Sequence, residues 1–117
     1  MEYIDLLILN KKRQEKYFKN PYKYARKIKR KAGEILGDVK VYLFGSVVNN
    51  KWLPTSDIDI LVVSSEKITS ATAASEIEIA LLKSVDFYSP FEIHLVTPEV
   101  CENWYKKFLK CELVEVE

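Results

Sequence analysis

An α/β (α+β) domain with one small mixed sheet is what this sequence predicts, and three observations predict it. Segments with a helical apolar period alternate with short β-branched and aromatic runs. Asn20-Pro21, Gly37, Gly45, Pro54, Pro90 and Pro98 stand at the joints between those segments. No repeat and no linker interrupts the 117 residues, so residues 1–117 read as a single domain. A chain of this size buries roughly 65% of the surface it exposes when unfolded, enough for a core without staples.

Residues 2–19 are mostly good helix formers. Asn20 then suits an N-cap and Pro21 the first helical position, where the missing N–H has no intrahelical partner to lose. Tyr22, Ala25, Ile28, Ala32 and Ile35 recur at spacings of three and four, which is one apolar stripe, and Gly37 ends it. Lys23, Arg26, Lys27, Arg30 and Lys31 cover the other face. Val39 to Phe44 is β-branched and aromatic, a strand stopped at Gly45. Asn49-Asn50 and Pro54 mark an irregular connection. Ile58 to Val63 reads as a second, largely buried strand. Ala73, Ala74, Ile77, Ala80, Leu81 and Val85 form a second helical stripe. Pro90 opens a third strand, Phe91 to Val96. Thr97 caps a last helix expected to reach Leu109, with Pro98 at its first position. Leu113 to Val116 alternates with glutamates, as a short edge strand does. The core is expected at about residues 37–98, behind basic helices at 2–36.

Composition narrows the function classes. At 48% hydrophobic and 30% charged, the chain is neither collagen-like nor disordered. No apolar run approaches the ~20 residues that span a bilayer. The acidic start, Met1-Glu2-Tyr3-Ile4-Asp5, is unlike a secretory signal, and a cytoplasmic protein without a membrane role is expected. Cys101 and Cys111 fit no zinc or disulfide pattern and read as free thiols. Net charge is only +1, yet Lys11 to Lys31 holds eleven cations opposed by Glu15 alone. A basic face of that kind reads first as a solvated surface, then as a seat for an acidic partner, and third as one for RNA stacked on the interleaved Tyr17, Phe18, Tyr22 and Tyr24.

Chemistry gathers at strand ends. Gly45-Ser46 follows the first strand, Asp57-Ile58-Asp59 enters the second, and Glu92 begins the third. Residues i and i+2 of a strand share a face, so Asp57 and Asp59 point together while Ile58 enters the core. Two carboxylates drawn to ~4 Å repel by about 4 kcal/mol at an effective dielectric of ~20. Such a pair calls for a proton or a cation, and oxygen ligands suit Mg2+ or Mn2+ rather than zinc. Glu92 adds a third carboxylate if the third strand lies beside the second. Gly45 lets the backbone turn tightly, and a helical turn from Ser46 presents N–H groups to an anion. His94 shares Glu92's face. It reads either as an ordinary half-buried histidine or as a group near an acceptor hydroxyl.

Gly45-Ser46, ten residues, then Asp57-Ile58-Asp59 resembles the GS-x10-DxD signature of the nucleotidyltransferases with the polymerase-beta-like fold. In size the chain resembles their smallest branch, the minimal nucleotidyltransferases, commonly paired with HEPN-domain proteins as toxin–antitoxin modules. The resemblance covers about Val39 to Pro98. It implies that Gly45 and Ser46 hold the triphosphate of ATP and that Asp57 and Asp59 bind Mg2+, with Mn2+ an alternative. It implies a third acid on a following strand. That is Glu92 here, where the family often has Asp; Asp86 is the rival and falls in the expected helix. The implied reaction is AMP transfer from ATP to a hydroxyl of another chain, foremost a HEPN toxin silenced by it. Rival expectations are an antitoxin that masks its partner sterically, and transfer to RNA or a small molecule. A homodimer or a hetero-complex is compatible with all of these.

Overall fold

The computed structural model describes residues 2–48, 56–105 and 112–117. Helix α1 (Tyr3–Lys19) is followed by α2 (Pro21–Leu36), and strand β1 (Val39–Phe44) by a single 3-10 turn, Gly45–Val47. Strand β2 (Ile58–Ser64), helix α3 (Ala71–Lys83) and strand β3 (Phe91–Val96) come next. A short helix α4 (Pro98–Val100) widens into a π-helical turn at Cys101–Tyr105, and strand β4 (Val114–Glu115) closes the order. The sheet runs β3-β2-β1-β4. β1 is antiparallel to β2 and to the edge strand β4, while β2 and β3 are parallel and joined through α3. The sheet is therefore mixed, as the alternation of elements predicts.

The helix boundaries follow from their caps. Asn20 accepts from the Lys23 N–H at 3.4 Å, with Pro21 behind it. Gly37 ends α2 at φ +79°, its N–H bonded to the Gly33 carbonyl at 3.0 Å. Ser70 accepts from the Ala73 N–H at 3.0 Å and starts α3. Thr97 accepts from the Val100 N–H at 3.3 Å and starts α4.

Two cores flank the sheet. On one face Val41, Leu43, Ile58, Ile60, Val62 and Phe91 meet Tyr17 and Phe18 of α1, Ala25, Ile28, Ala32 and Leu36 of α2, and Leu81 of α3. On the other face a smaller cluster joins Phe44, Leu61, Val63 and Cys101, with Tyr42, Val96, Tyr105 and Leu113 packed against it.

Several expectations are corrected. Ile35 is exposed and Leu36 is buried in its place. The two flank the stripe at about 50° on opposite sides of its centre, and the sheet lies toward Leu36. Helix α3 stops at Lys83, so Val85 and Asp86 lie in the following turn. Tyr17 and Phe18 are core residues and present no ring for stacking on bases. Cys101 is buried, in keeping with the expectation. The expected connection at Asn49, Asn50 and Pro54, the reach of the last helix to Leu109, and Cys111 fall outside the described residues.

Candidate active site

Alternation along β2 separates structure from chemistry residue by residue. Ile58, Ile60 and Val62 are sealed in the helix-covered face, which leaves Asp59 on the other face with Leu61 and Val63. Parallel pairing sets Asp59 opposite Glu92 and Leu61 opposite His94. The Ile58 N–H donates to the Pro90 carbonyl at 2.8 Å, which ties the starts of β2 and β3 together. Asp57, one residue before β2, is exposed, and its carboxyl is within hydrogen-bonding reach of Glu92. The three acids predicted from sequence thus converge at one rim of the sheet.

The Gly45 turn arrives at the same rim. Phe44 pairs with Asp59 in the β1–β2 register, so the next residue lies against the Asp59 carboxylate. A Cβ at Gly45 would run into Asp59 Oδ2, and φ is +80° there. Glycine is required on both counts. Ser46 is half-buried in the 3-10 turn, as the sequence leads one to expect.

His94 emerges as a member of the site. Its Nε2 lies 3.2 Å from Asp59 Oδ1 and 4.0 Å from Glu92 Oε1. Its Nδ1 lies 3.3 Å from the Tyr105 hydroxyl. Phe44 packs beside both rings, at centroid separations of 5.2 Å from His94 and 5.7 Å from Tyr105. Sequence reasoning left His94 open between a bland and a functional role. Its position two residues after Glu92 on a strand gave the shared face, and the contact with Asp59 across the β2–β3 pair decided between the two.

Electrostatics at the rim are those of a crowded acid cluster. The hydrogen bond to Asp59 holds the His94 pKa above its ordinary value against the opposing pull of burial, and the charges of Asp59, Glu92 and Glu78 add to the rise. Burial raises the pKa of Glu92; His94 lowers it, and Asp59 and Asp57 raise it further. Burial also raises the Tyr105 phenol, helped by Asp59 and Glu92. The side chains of Asp59 and His94 are about a quarter exposed and that of Glu92 about half, at 26%, 27% and 54%. They are partly desolvated yet open to a ligand.

Asp86, the rival third acid, is elsewhere. It accepts from the Tyr17 hydroxyl at 3.4 Å and from the Tyr88 N–H at 3.0 Å, which fastens the α3–β3 loop to α1. Among the described residues, Asp59, Glu92 and His94 are the group whose ligand atoms all lie within 4.8 Å of one another.

The family model for the nucleotidyltransferase domain matches residues 22–111. The chain belongs to this family. By reaction class the nucleotidyltransferase is a transferase, and its fold is that of the polymerase-beta-like superfamily. It is similar in structure to a candidate nucleotidyltransferase from Sulfolobus solfataricus, with a TM-score of 0.57 at 19% identity. That likeness covers 91% of this chain and 83% of the other, and it bears on the fold. Comparison with curated proteins finds no match. No helix among the described residues is long and apolar enough to cross a membrane.

Proposed function

We propose that this nucleotidyltransferase transfers AMP from ATP to a hydroxyl of a partner protein, releasing pyrophosphate. The observation that carries the reading is the convergence of the Gly45 turn and the acids Asp57, Asp59 and Glu92 on one open rim.

The donor set fits a divalent ion. Asp57, Asp59 and Glu92 bring carboxylate oxygens together at one rim, where burial first and then the charges of Asp59 and Asp57 raise the Glu92 pKa, and oxygen donors suit Mg2+ or Mn2+. When bound there, such ions supply charge neutralisation for the triphosphate and polarise the attacking oxygen.

The remaining work belongs to the chain. Gly45, lacking a side chain, lets the turn lie directly against the Asp59 carboxylate, and the Gly45–Val47 turn would offer N–H donors and the Ser46 hydroxyl to phosphate oxygens. The acceptor oxygen forms its bond to the α-phosphorus as the α-phosphorus–oxygen bond to pyrophosphate breaks. The hydroxyl proton passes to a carboxylate at the rim. Glu92 and Asp59 are the carboxylates placed to take it. His94 holds Asp59 in place from the side.

An outside acceptor fits a rim that is open and a Glu92 that is half exposed. We place that acceptor on a HEPN-domain protein, on a side-chain hydroxyl such as tyrosine, with the modification silencing a toxin. Labelled ATP, Mg2+ and such a partner are expected to yield labelled protein. The Asp59→Ala variant is expected to yield none. Full transfer by that variant would refute the assignment, and transfer to RNA or a small molecule in place of protein would replace the acceptor.

A further inference from the structure

Resting on the reading of Asp59 and Glu92 as ligands, we propose that His94 completes their set through Nε2, making a mixed nitrogen–oxygen site that favours Mn2+ over Mg2+.

Three observations carry this. First, Nε2 faces both carboxylates, at 3.2 Å from Asp59 Oδ1 and 4.0 Å from Glu92 Oε1. Adjacent ligand atoms around a six-coordinate ion with bonds of about 2.1 Å stand about 3 Å apart. The Asp59–His94 spacing is therefore that of two neighbouring ligands on one ion.

Second, the ring is held from behind. The Tyr105 hydroxyl lies 3.3 Å from Nδ1. With Nδ1–H donating to that hydroxyl, Nε2 keeps its lone pair and directs it at the carboxylates. Metal-binding histidines are commonly held through their second nitrogen in this way. Phe44 and Tyr105 pack against the ring and limit its rotation.

Third, the alternative occupant of that space is a proton shared between Nε2 and Asp59. A divalent ion replaces it with more charge and satisfies all three groups at once. Mg2+ dehydrates reluctantly and demands near-ideal oxygen coordination, whereas Mn2+, although also an oxygen-preferring ion, tolerates one imidazole among carboxylates better than Mg2+ does. One nitrogen among carboxylates therefore shifts selection toward Mn2+.

The test uses the full chain and Mn2+ alone, without nucleotide. Electron spin-echo spectra of bound Mn2+ are expected to show coupling to a ring nitrogen. His94→Gln is expected to remove the coupling and to lower Mn2+ affinity at least about tenfold while Mg2+ affinity changes little. Tyr105→Phe, which frees the ring, is expected to weaken Mn2+ binding by about tenfold with the coupling retained. Circular dichroism checks that both variants are folded. Bound Mn2+ without nitrogen coupling overturns the proposal, as does a failure of Mn2+ to bind. Transfer of AMP with Mg2+ that depends on Asp59, without nitrogen coupling, removes His94 and leaves the proposed function standing. Nitrogen-coupled Mn2+ without transfer to any acceptor does the reverse.

Discussion

The two faces of the β2–β3 pair differ more than any other two regions of the molecule, although they are built from the same thirteen residues. On the helix-covered face Ile58, Ile60, Val62 and Phe91 are sealed beneath α1, α2 and α3. On the other face Asp59, Glu92 and His94 stand in one cluster, partly open to solvent. Neighbours along the chain therefore do opposite work: Ile58 and Ile60 hold the fold, and Asp59 between them is held by it. β2 is a rigid mount, because a one-residue slip of its register would carry Asp59 into the helix-covered core and turn Ile58, Ile60 and Val62 out of it. The acids can be crowded together because the other face supplies the stability that their repulsion costs.

This division can be broken in a graded way. The largest expected effect is on the chemical face. Asp59→Asn should cut nucleotide transfer by about 10²- to 10³-fold, a loss typical of removing one charge-stabilising group from an active site. Its melting temperature should change little, since the lost repulsion from Glu92 is offset by the weakened bond to His94. A parallel fall in melting temperature and activity would show that the faces are not separable.

Next comes the packed face. Leu81→Ala opens a hole where the side chain is wholly buried and should cost about 3 kcal/mol in urea unfolding. The activity of the fraction that stays folded should be nearly unchanged. Gly45→Ala touches both faces: the backbone there is at φ +80° and a methyl group meets the Asp59 carboxylate. About 1–2 kcal/mol of stability should be lost, together with most of the transfer activity.

The smallest effect lies where α1 joins the packed face. The Tyr17 phenol is raised above its ordinary value, chiefly by burial and then by the Asp86 charge and hydrogen bond. The native state thus holds that proton more tightly than the unfolded chain does. Its contribution is fully present below the ordinary tyrosine value of about 10 and is lost as pH rises through the higher native one. Between pH 8 and pH 11 the urea midpoint of the parent should fall further than that of Tyr17→Phe. Equal falls would remove Tyr17 from the account.

Legibility followed the range of the forces involved. The caps at Asn20, Ser70 and Thr97 are hydrogen bonds spanning three residues, and two of them, Asn20-Pro21 and Thr97-Pro98, were plain in the sequence. The start of α3 was not, because its stripe shows little contrast and Ser70 has serine and threonine neighbours. Asp86 was misplaced for the same reason: the apolar spacing runs on through Val85, although the helix ends at Lys83.

By itself the sequence determined the alternation of helices and strands and the small mixed sheet. Those follow from backbone periods of 3.6 and 2, which act over a few residues. Only the tertiary structure decided that His94 meets Asp59, 35 positions away, that Tyr105 stands behind it, that Gly45 lies against the Asp59 carboxylate, and that Leu36 rather than Ile35 faces the sheet. Each depends on how strands and helices from distant parts of the chain settle against one another. That is a matter of packing, on which no local period bears.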